Sequence, residues 1–143
     1  NSPTICSGSS VTLRSSGAST YSWTPSSGLN RTTGDTVVAN PTTTTTYTVT
    51  GTNSSTGCSN TAQSTVTVNP LPSAITPSST ARICPGTTIS FADATGTGNW
   101  STSDGTVATV DASGTVSGVS AGTAMISYTL PTGCYVTKSI NCF

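Results

Sequence analysis

The chain is 143 residues long, with a formal net charge of zero, 6% charged residues and 32% hydrophobic ones. Its four cations, Arg14, Arg31, Arg82 and Lys138, are scattered, which excludes the basic patch through which nucleic acid or an anionic membrane is bound. No apolar run approaches the roughly 20 residues that span a bilayer, and without a single histidine or glutamate the usual general base and the usual zinc ligands are missing together.

Ser and Thr make up roughly two-fifths of the residues, so solubility rests on hydroxyls and not on ions. Disordered chains combine high net charge with few β-branched or aromatic residues, whereas here Val, Ile, Thr, Tyr and Trp recur in alternation. The composition predicts a folded, all-β chain. In its first part, Val11 and Leu13, Tyr21 and Trp23, Tyr47 and Val49, and Val66 and Val68 fall at every second position, the period of strands with one buried face. Turn-rich pieces such as TPSSGLNRTTGD and GTNSSTGCSN separate them, with Gly, Pro, Asn and Ser supplying the backbone angles a turn needs. NPLPS, residues 69–73, marks a boundary, because two prolines stiffen a linker and cannot continue a central strand. Beyond it, ISF at 89–91, Trp100, VATV at 107–110, TVSGV at 115–119, AMISYTL at 124–130 and a last run from Tyr135 predict further strands, with turns at Asp104-Gly105 and Ser113-Gly114.

Strands spaced by about ten residues predict a β-sandwich in each half: one over residues 1–69, a Pro-rich linker over 70–73, and a second over 74–143. AITPSSTA supplies an opening strand for the second unit, while only five residues precede Cys6. The first unit is therefore expected to lack its opening strand or to receive it from a neighbour, and the abrupt ends predict a piece of a longer array.

The two halves also repeat one another. TICSGSSVTL at 4–13 and RICPGTTISF at 82–91 share an Ile-Cys-x-Gly opening and the alternation that follows it. Five cysteines in a small loop-rich chain without histidine predict disulfides and an oxidising, extracellular setting. Cys6 and Cys84 precede the first core strand of each unit, and Cys58 and Cys134 sit in the turns before the last strand. The near-equal intervals predict the pairs Cys6–Cys58 and Cys84–Cys134, each closing a loop of about fifty residues and contributing roughly 4 kcal/mol by chain-entropy arithmetic. Cys142 is left over; it shares parity with Ile140 and reads as a small apolar core residue, the alternative being an intermolecular disulfide. Trp23 and Trp100 follow their cysteines at similar intervals and are expected in the two cores, the alternative being exposed platforms for sugar stacking.

WSTSDGTVATVDASGTVSGVSAGTAMISYTL, residues 100–130, strongly resembles the bacterial Ig-like group 2 domain, whose pattern runs Trp-Ser-Ser, Val-Ala-Thr-Val-Asp, Gly-x-Val and Ala-Gly-Thr-Ala-x-Ile. The first unit, with ICSGSSVTL, YSWTPSSGL, NPTTTTTYTVTGT and Gly-Cys before the last strand, resembles the PKD-like or Ig-like repeats of large secreted and surface proteins of Bacteroidetes. The resemblance implies two consecutive immunoglobulin-like modules of a multi-repeat protein exported to the cell exterior, often by the type IX system, whose members act as adhesins, stalks or spacers. Their motif residues are structural and bring no functional residues with them. The last strand departs from the pattern at Cys142, where Val is usual.

Little else suggests chemistry. A serine nucleophile needs a positioned base, and only Lys138 is available, so no catalytic residue is expected. Asp35, Asp93, Asp104 and Asp111 lie far apart, without the spacing of calcium loops; neither a metal nor a cofactor is expected, and Asp104 reads as a turn former. TTTTT at 42–46 raises ice binding, which requires regular Thr-x-Thr rows over several strands, but it reads more simply as a β-branched approach to the strand YTVTGT. Asp35-Thr36-Val37 resembles the Asp-Ser/Thr-aliphatic O-glycosylation motif of Bacteroidetes, making Thr36 the candidate acceptor, and Asn30, Asn53 and Asn99 head N-glycosylation triplets. The expected function is non-enzymatic, structural or adhesive, within an extracellular surface protein whose partners are neighbouring Ig-like modules or identical subunits, and surface glycans, with no nucleic acid and no membrane insertion. The alternatives are a subunit of a fibre or sheath assembled by strand complementation, and a glycan- or ice-binding module.

Overall fold

The computed structural model describes residues 2–143. The described chain consists of strands and turns without helix and divides into two compact units, Asn1–Pro70 and Leu71–Phe143.

Unit 1 contains β1 (Thr4–Cys6), β2 (Val11–Arg14), β3 (Thr20–Thr24), β4 (Thr36–Ala39), β5 (Thr45–Thr52) and β6 (Ser59–Asn69). Four of them form a sheet in the order β1-β6-β5-β3, and β2 pairs with β4 in a second layer. The alternation read from the sequence sets the packing. Trp23, Tyr47, Val49 and Val66 of the larger sheet and Leu13, Val37 and Ala39 of the smaller one turn inward and bury a single core together with Ile5. Each large side chain buried in this way contributes about 1.5–3 kcal/mol. The residues between them, mostly Thr and Ser, face outward.

Unit 2 contains β7 (Ala81–Ile83), β8 (Thr88–Ser90), β9 (Asn99–Thr102), β10 (Ala108–Val110), β11 (Thr115–Gly118), β12 (Gly122–Thr129) and β13 (Tyr135–Cys142). Its sheets run β7-β13-β12-β9 and β10-β11-β8, around a core of Phe91, Ala108, Val116, Ile126, Ile140 and their neighbours. The Ser113-Gly114 turn takes its glycine from necessity. Gly114 has φ +86°, and a Cβ there would press on the Phe91 carbonyl and the Trp100 ring.

Both larger sheets have the same order: first strand, last strand, next-to-last, third. In both, the first strand lies parallel to the last, with Cys6 opposite Asn69 in unit 1 and Ile83 opposite Cys142 in unit 2. The repeated Ile-Cys opening in the sequence is this strand. β1 is thus the counterpart of β7, while the strand expected over AITPSSTA is reduced to an isolated bridge between Thr76 and Ala92 ahead of β7.

The parallel pairing also overturns the expected disulfides. Cys58 precedes the 11-residue β6, and Cys6 lies opposite the far end of that strand, so the two are about 35 Å apart at ~3.3 Å per residue. Cys134 precedes the 8-residue β13, and Cys84 lies just beyond its far end, about 25 Å away by the same measure. A disulfide needs Cα atoms within about 7 Å. Neither Cys6–Cys58 nor Cys84–Cys134 forms. Cys6 and Cys134 are disulfide-bonded, and Cys58, Cys84 and Cys142 are free.

Candidate functional site

The residues singled out in the sequence do not converge on one site. Trp23 is 3% exposed and its indole donates to the Gly34 carbonyl at 2.9 Å, which satisfies the one polar atom a buried tryptophan carries. Trp100 is half-buried. It packs at the margin of the unit 2 core with its ring 4.7 Å from that of Tyr128, whose hydroxyl accepts the Gly98 amide at 2.8 Å. Cys142 is 2% exposed and its thiol donates to the Val107 carbonyl at 3.4 Å; Cys58 and Cys84 are exposed.

Thr36 opens β4, where it is half-buried opposite Arg14 of β2, and its carbonyl accepts Arg31 Nε at 3.0 Å and Nη2 at 2.7 Å. Asn30, Asn53 and Asn99 are exposed. Asn30 and Asn53 use their side-chain oxygens to hold the Val38 and Ser55 amides.

Asp104 accepts the Thr106 hydroxyl at 2.6 Å and the Thr106 amide at 2.9 Å. Asp111 accepts the Ser113 hydroxyl at 2.6 Å and the Ser113 and Thr115 amides at 2.9 Å. These bonds, the Thr106 hydroxyl foremost for Asp104 and the Ser113 hydroxyl foremost for Asp111, hold both carboxyls below their ordinary values. Both are turn formers of the kind in which a short carboxylate caps the backbone two residues on. Among the described residues no three His, Cys, Asp or Glu side chains gather as a metal site would require.

The surface that sequence reasoning missed is the outer face of the larger sheet of unit 1. Between its buried residues β5 presents Thr46, Thr48, Thr50 and Thr52, and β6 sets Thr65, Gln63, Thr61 and Ser59 directly opposite them. On the other side β3 sets Thr24, Ser22 and Thr20 opposite Thr48, Thr50 and Thr52. The result is a three-strand grid of hydroxyl and amide groups, repeating about every 6.6 Å along the strands and about 4.8 Å across them. Cross-strand bonds tie it together, Thr46 to Thr65 at 2.8 Å and Gln63 to Thr48 at 3.4 Å. Of the TTTTT run only Thr45 and Thr46 lie in β5; Thr44 accepts the Val68 amide and Thr45 donates to the Thr43 carbonyl. The counterpart face in unit 2 is broken by exposed Met125 and Tyr135. The signal was the alternating Thr in each strand, but only the register shows that the rows are adjacent.

Residues 86–138 match the bacterial Ig-like domain (group 2) family. The match lies within unit 2 and takes in the whole of the stretch, residues 100–130, whose motif suggested it. No curated protein matches the chain. Among solved structures the chain is similar to a SusE-like surface-located polysaccharide-binding protein from the heparin utilisation locus of Bacteroides thetaiotaomicron, at 14% identity and a TM-score of 0.53, covering 99% of this chain and 32% of that one. It is similar to invasin, a bacterial integrin-binding protein, at 16% identity and a TM-score of 0.52, covering 99% and 37%. A C-terminal intimin fragment, solved with the intimin-binding domain of its translocated receptor, aligns at 18% identity and a TM-score of 0.47, covering 92% and 56%. The chain thus spans about a third to about half of the length of these relatives. At such identities the likeness to the first two is one of fold.

Among the described residues no helix is long and apolar enough to cross a membrane.

Proposed function

We propose that the chain is a non-enzymatic, load-bearing segment of an extracellular bacterial surface protein, built from two consecutive immunoglobulin-like modules, and that it serves as stalk or adhesin. The observation that carries this reading is the parallel pairing of first and last strands in both units. Tension along the backbone draws the start of the first strand and the end of the last in opposite directions. Because the two lie side by side and parallel, their ladder is loaded in shear, so all its hydrogen bonds resist together and do not open one at a time. The similarity of residues 100–130 to the group 2 Ig-like pattern, and of the first unit to repeats of Bacteroidetes surface proteins, supports an exterior setting. The side chains support a non-catalytic role, for Lys138, the one base within the repertoire of a serine nucleophile here, sits with its ammonium 5.8 Å from the centre of the Phe91 ring.

Single-molecule force spectroscopy on the chain with its disulfide reduced tests the reading. Discrete unfolding peaks, each releasing one unit of contour length about 70 residues at ~3.5 Å per residue, are expected. Extension without resolvable peaks refutes it.

The hydroxyl grid of unit 1 favours a second reading, a module that adheres to a polyhydroxylated surface, either a glycan or ice. Retardation by immobilised polysaccharides, or a depressed freezing point with shaped ice crystals, lost in the Thr48→Lys/Thr50→Lys variant, is its expected signature. Unchanged migration and freezing with the parent chain rule it out.

A further inference from the structure

The outer strands of the larger unit 1 sheet differ in what their far sides meet. On β3 the side away from β5 is taken by the loop that follows it: the Trp23 amide donates to the Thr32 carbonyl at 2.8 Å and the Gly34 amide to the Tyr21 carbonyl at 3.2 Å. On β6, β1 covers only Thr67–Asn69 of the 11 residues, and Ser59–Gln63 are exposed. The Thr67 amide donates to the Pro3 carbonyl and the Asn69 carbonyl accepts the Ser7 amide, both at 2.9 Å, so the odd-numbered residues of β6 turn both backbone groups away from β5. By that alternation the N–H and C=O groups of Ser59, Thr61 and Gln63 point out along the edge. The edge belongs to the fold. In unit 2, β7 likewise covers only Ile140–Cys142 of β13, and the segment ahead of β7 turns off to pair Thr76 with Ala92.

The two edges are guarded differently. That of β13 holds Tyr135, 58% exposed, and Lys138, turned inward with its ammonium 5.8 Å from the centre of the Phe91 ring; an inward-pointing charge is one of the devices that keep sheet edges apart. Residues 59–69 contain neither a charge nor a proline. The outer side chains of β6 are hydroxyl and amide groups that already bond across to β5, Gln63 to Thr48 at 3.4 Å and Thr65 to Thr46 at 2.8 Å. Such a strand is complementary to itself when run antiparallel. We propose that the edge of β6 pairs antiparallel with the same edge of a second copy, with Thr61 facing its own image and Ser59 facing Gln63. Each of these facing pairs exchanges two backbone hydrogen bonds.

The contact is isologous and, with the far side of β3 already taken, it stops at two copies. Two four-stranded sheets become one with both outer faces on the same side, so the hydroxyl grid runs on from one copy into the other and doubles in width. The pairing is independent of the load-bearing reading; the use of a wider grid rests on the second reading, adhesion to a polyhydroxylated surface. An edge strip is narrower than the patch of roughly 800 Å² per partner in a standard interface, so the pairing is reversible and depends on concentration.

Sedimentation velocity on the whole chain, in a Cys58→Ser/Cys84→Ser background that removes thiol exchange, tests the pairing from about 10 µM to about 1 mM. A monomer–dimer equilibrium without larger species is expected. Hydrogen exchange at the Ser59, Thr61 and Gln63 amides is expected to slow as concentration rises, while exchange at Asn60 and Ala62, whose amides face β5, does not change. Thr61→Pro removes one outward amide and leaves the β5 ladder intact, and is expected to weaken dimerisation about tenfold or more. Thr61→Lys sets like charges face to face and is expected to weaken it at low salt, with recovery at about 1 M salt. Thr137→Lys, on the edge of β13, is expected to leave it unchanged. A monomer at about 1 mM overturns the proposal, as do a dimer indifferent to both Thr61 variants, loss of the dimer in Thr137→Lys, and open-ended oligomers. Force spectroscopy reads single chains, so absence of the dimer with unfolding peaks retained refutes the pairing alone, and a dimer without polysaccharide or ice binding refutes the second reading alone.

Discussion

Tyr47→Phe isolates one hydrogen bond at the centre of unit 1. Tyr47 is fully buried, and its hydroxyl donates to the Ser27 carbonyl at 2.7 Å, tying β5 to the long loop that joins β3 to β4. Phe keeps the ring and its packing, so the cavity contribution is small and the loss is the bond itself, about 1 kcal/mol. For a unit of this size that lowers the melting temperature by about 4–8 °C. Calorimetry at neutral pH, with Cys58 and Cys84 alkylated to prevent exchange, reads this directly.

A second measurement on the same pair separates the bond from simple packing. Burial raises the Tyr47 pKa above its ordinary value, against a smaller lowering by the Thr45 hydroxyl. Below about pH 10 both folded and unfolded chains keep the proton, and the contribution of Tyr47 is complete. Above it the unfolded chain ionises first, so stability falls as pH rises towards the folded-state pKa. Tyr47→Phe removes that part of the alkaline loss. A shift of less than about 2 °C at neutral pH, or an alkaline slope equal to that of the parent, contradicts the placement of this hydroxyl.

The two turn aspartates make the opposite prediction at low pH. Their folded pKa values lie below the unfolded ones, so the stability they contribute is present above about pH 4 and is lost as pH falls through the folded values; Asp104→Asn/Asp111→Asn is expected to be less stable than the parent at neutral pH and to show a flatter acid limb in thermal melts. Gly114→Ala forces a positive φ and a contact with the Phe91 carbonyl and should cost about 2–4 kcal/mol, whereas Gly96→Ala, at φ +78° with open space around it, should cost about 1 kcal/mol; equal denaturation midpoints for the two variants count against the close approach at Gly114. In acrylamide quenching, Trp100→Phe, which retains buried Trp23, is expected to give blue-shifted, shielded emission, and Trp23→Phe, which retains half-buried Trp100, redder and more accessible emission. Indistinguishable quenching of the two contradicts the burial of Trp23.

The strands that could be read from the sequence were those in which polarity alternates over several residues, such as Thr45–Thr52 and Gly122–Thr129. β4 escaped notice because Thr-Val-Val-Ala has no polar outward residue in its middle, Val38 being half-buried. β1 and β7, three residues each, are too short for any period to show. Those two strands decide the cysteine chemistry, since their parallel placement beside β6 and β13 is a long-range pairing that no local pattern encodes. Equal Cys-to-Cys intervals were a true sign of repetition and a false guide to bonding. The hydroxyl grid was half legible, with every row visible in sequence and their adjacency hidden in the register.

The placement of the four cations governs how readily the chain is cut by proteases. Arg14, Arg82 and Lys138 each sit in a paired strand, opposite Thr36, Asn141 and Ile126, and the loop residue Arg31 has its guanidinium clasped on the Thr36 carbonyl. Trypsin-like proteases need an extended, unpaired segment with a basic side chain free to enter the specificity pocket. Three of the four cleavage points are closed to them until the sheet itself opens, and at Arg31 the loop must first release the guanidinium from the Thr36 carbonyl.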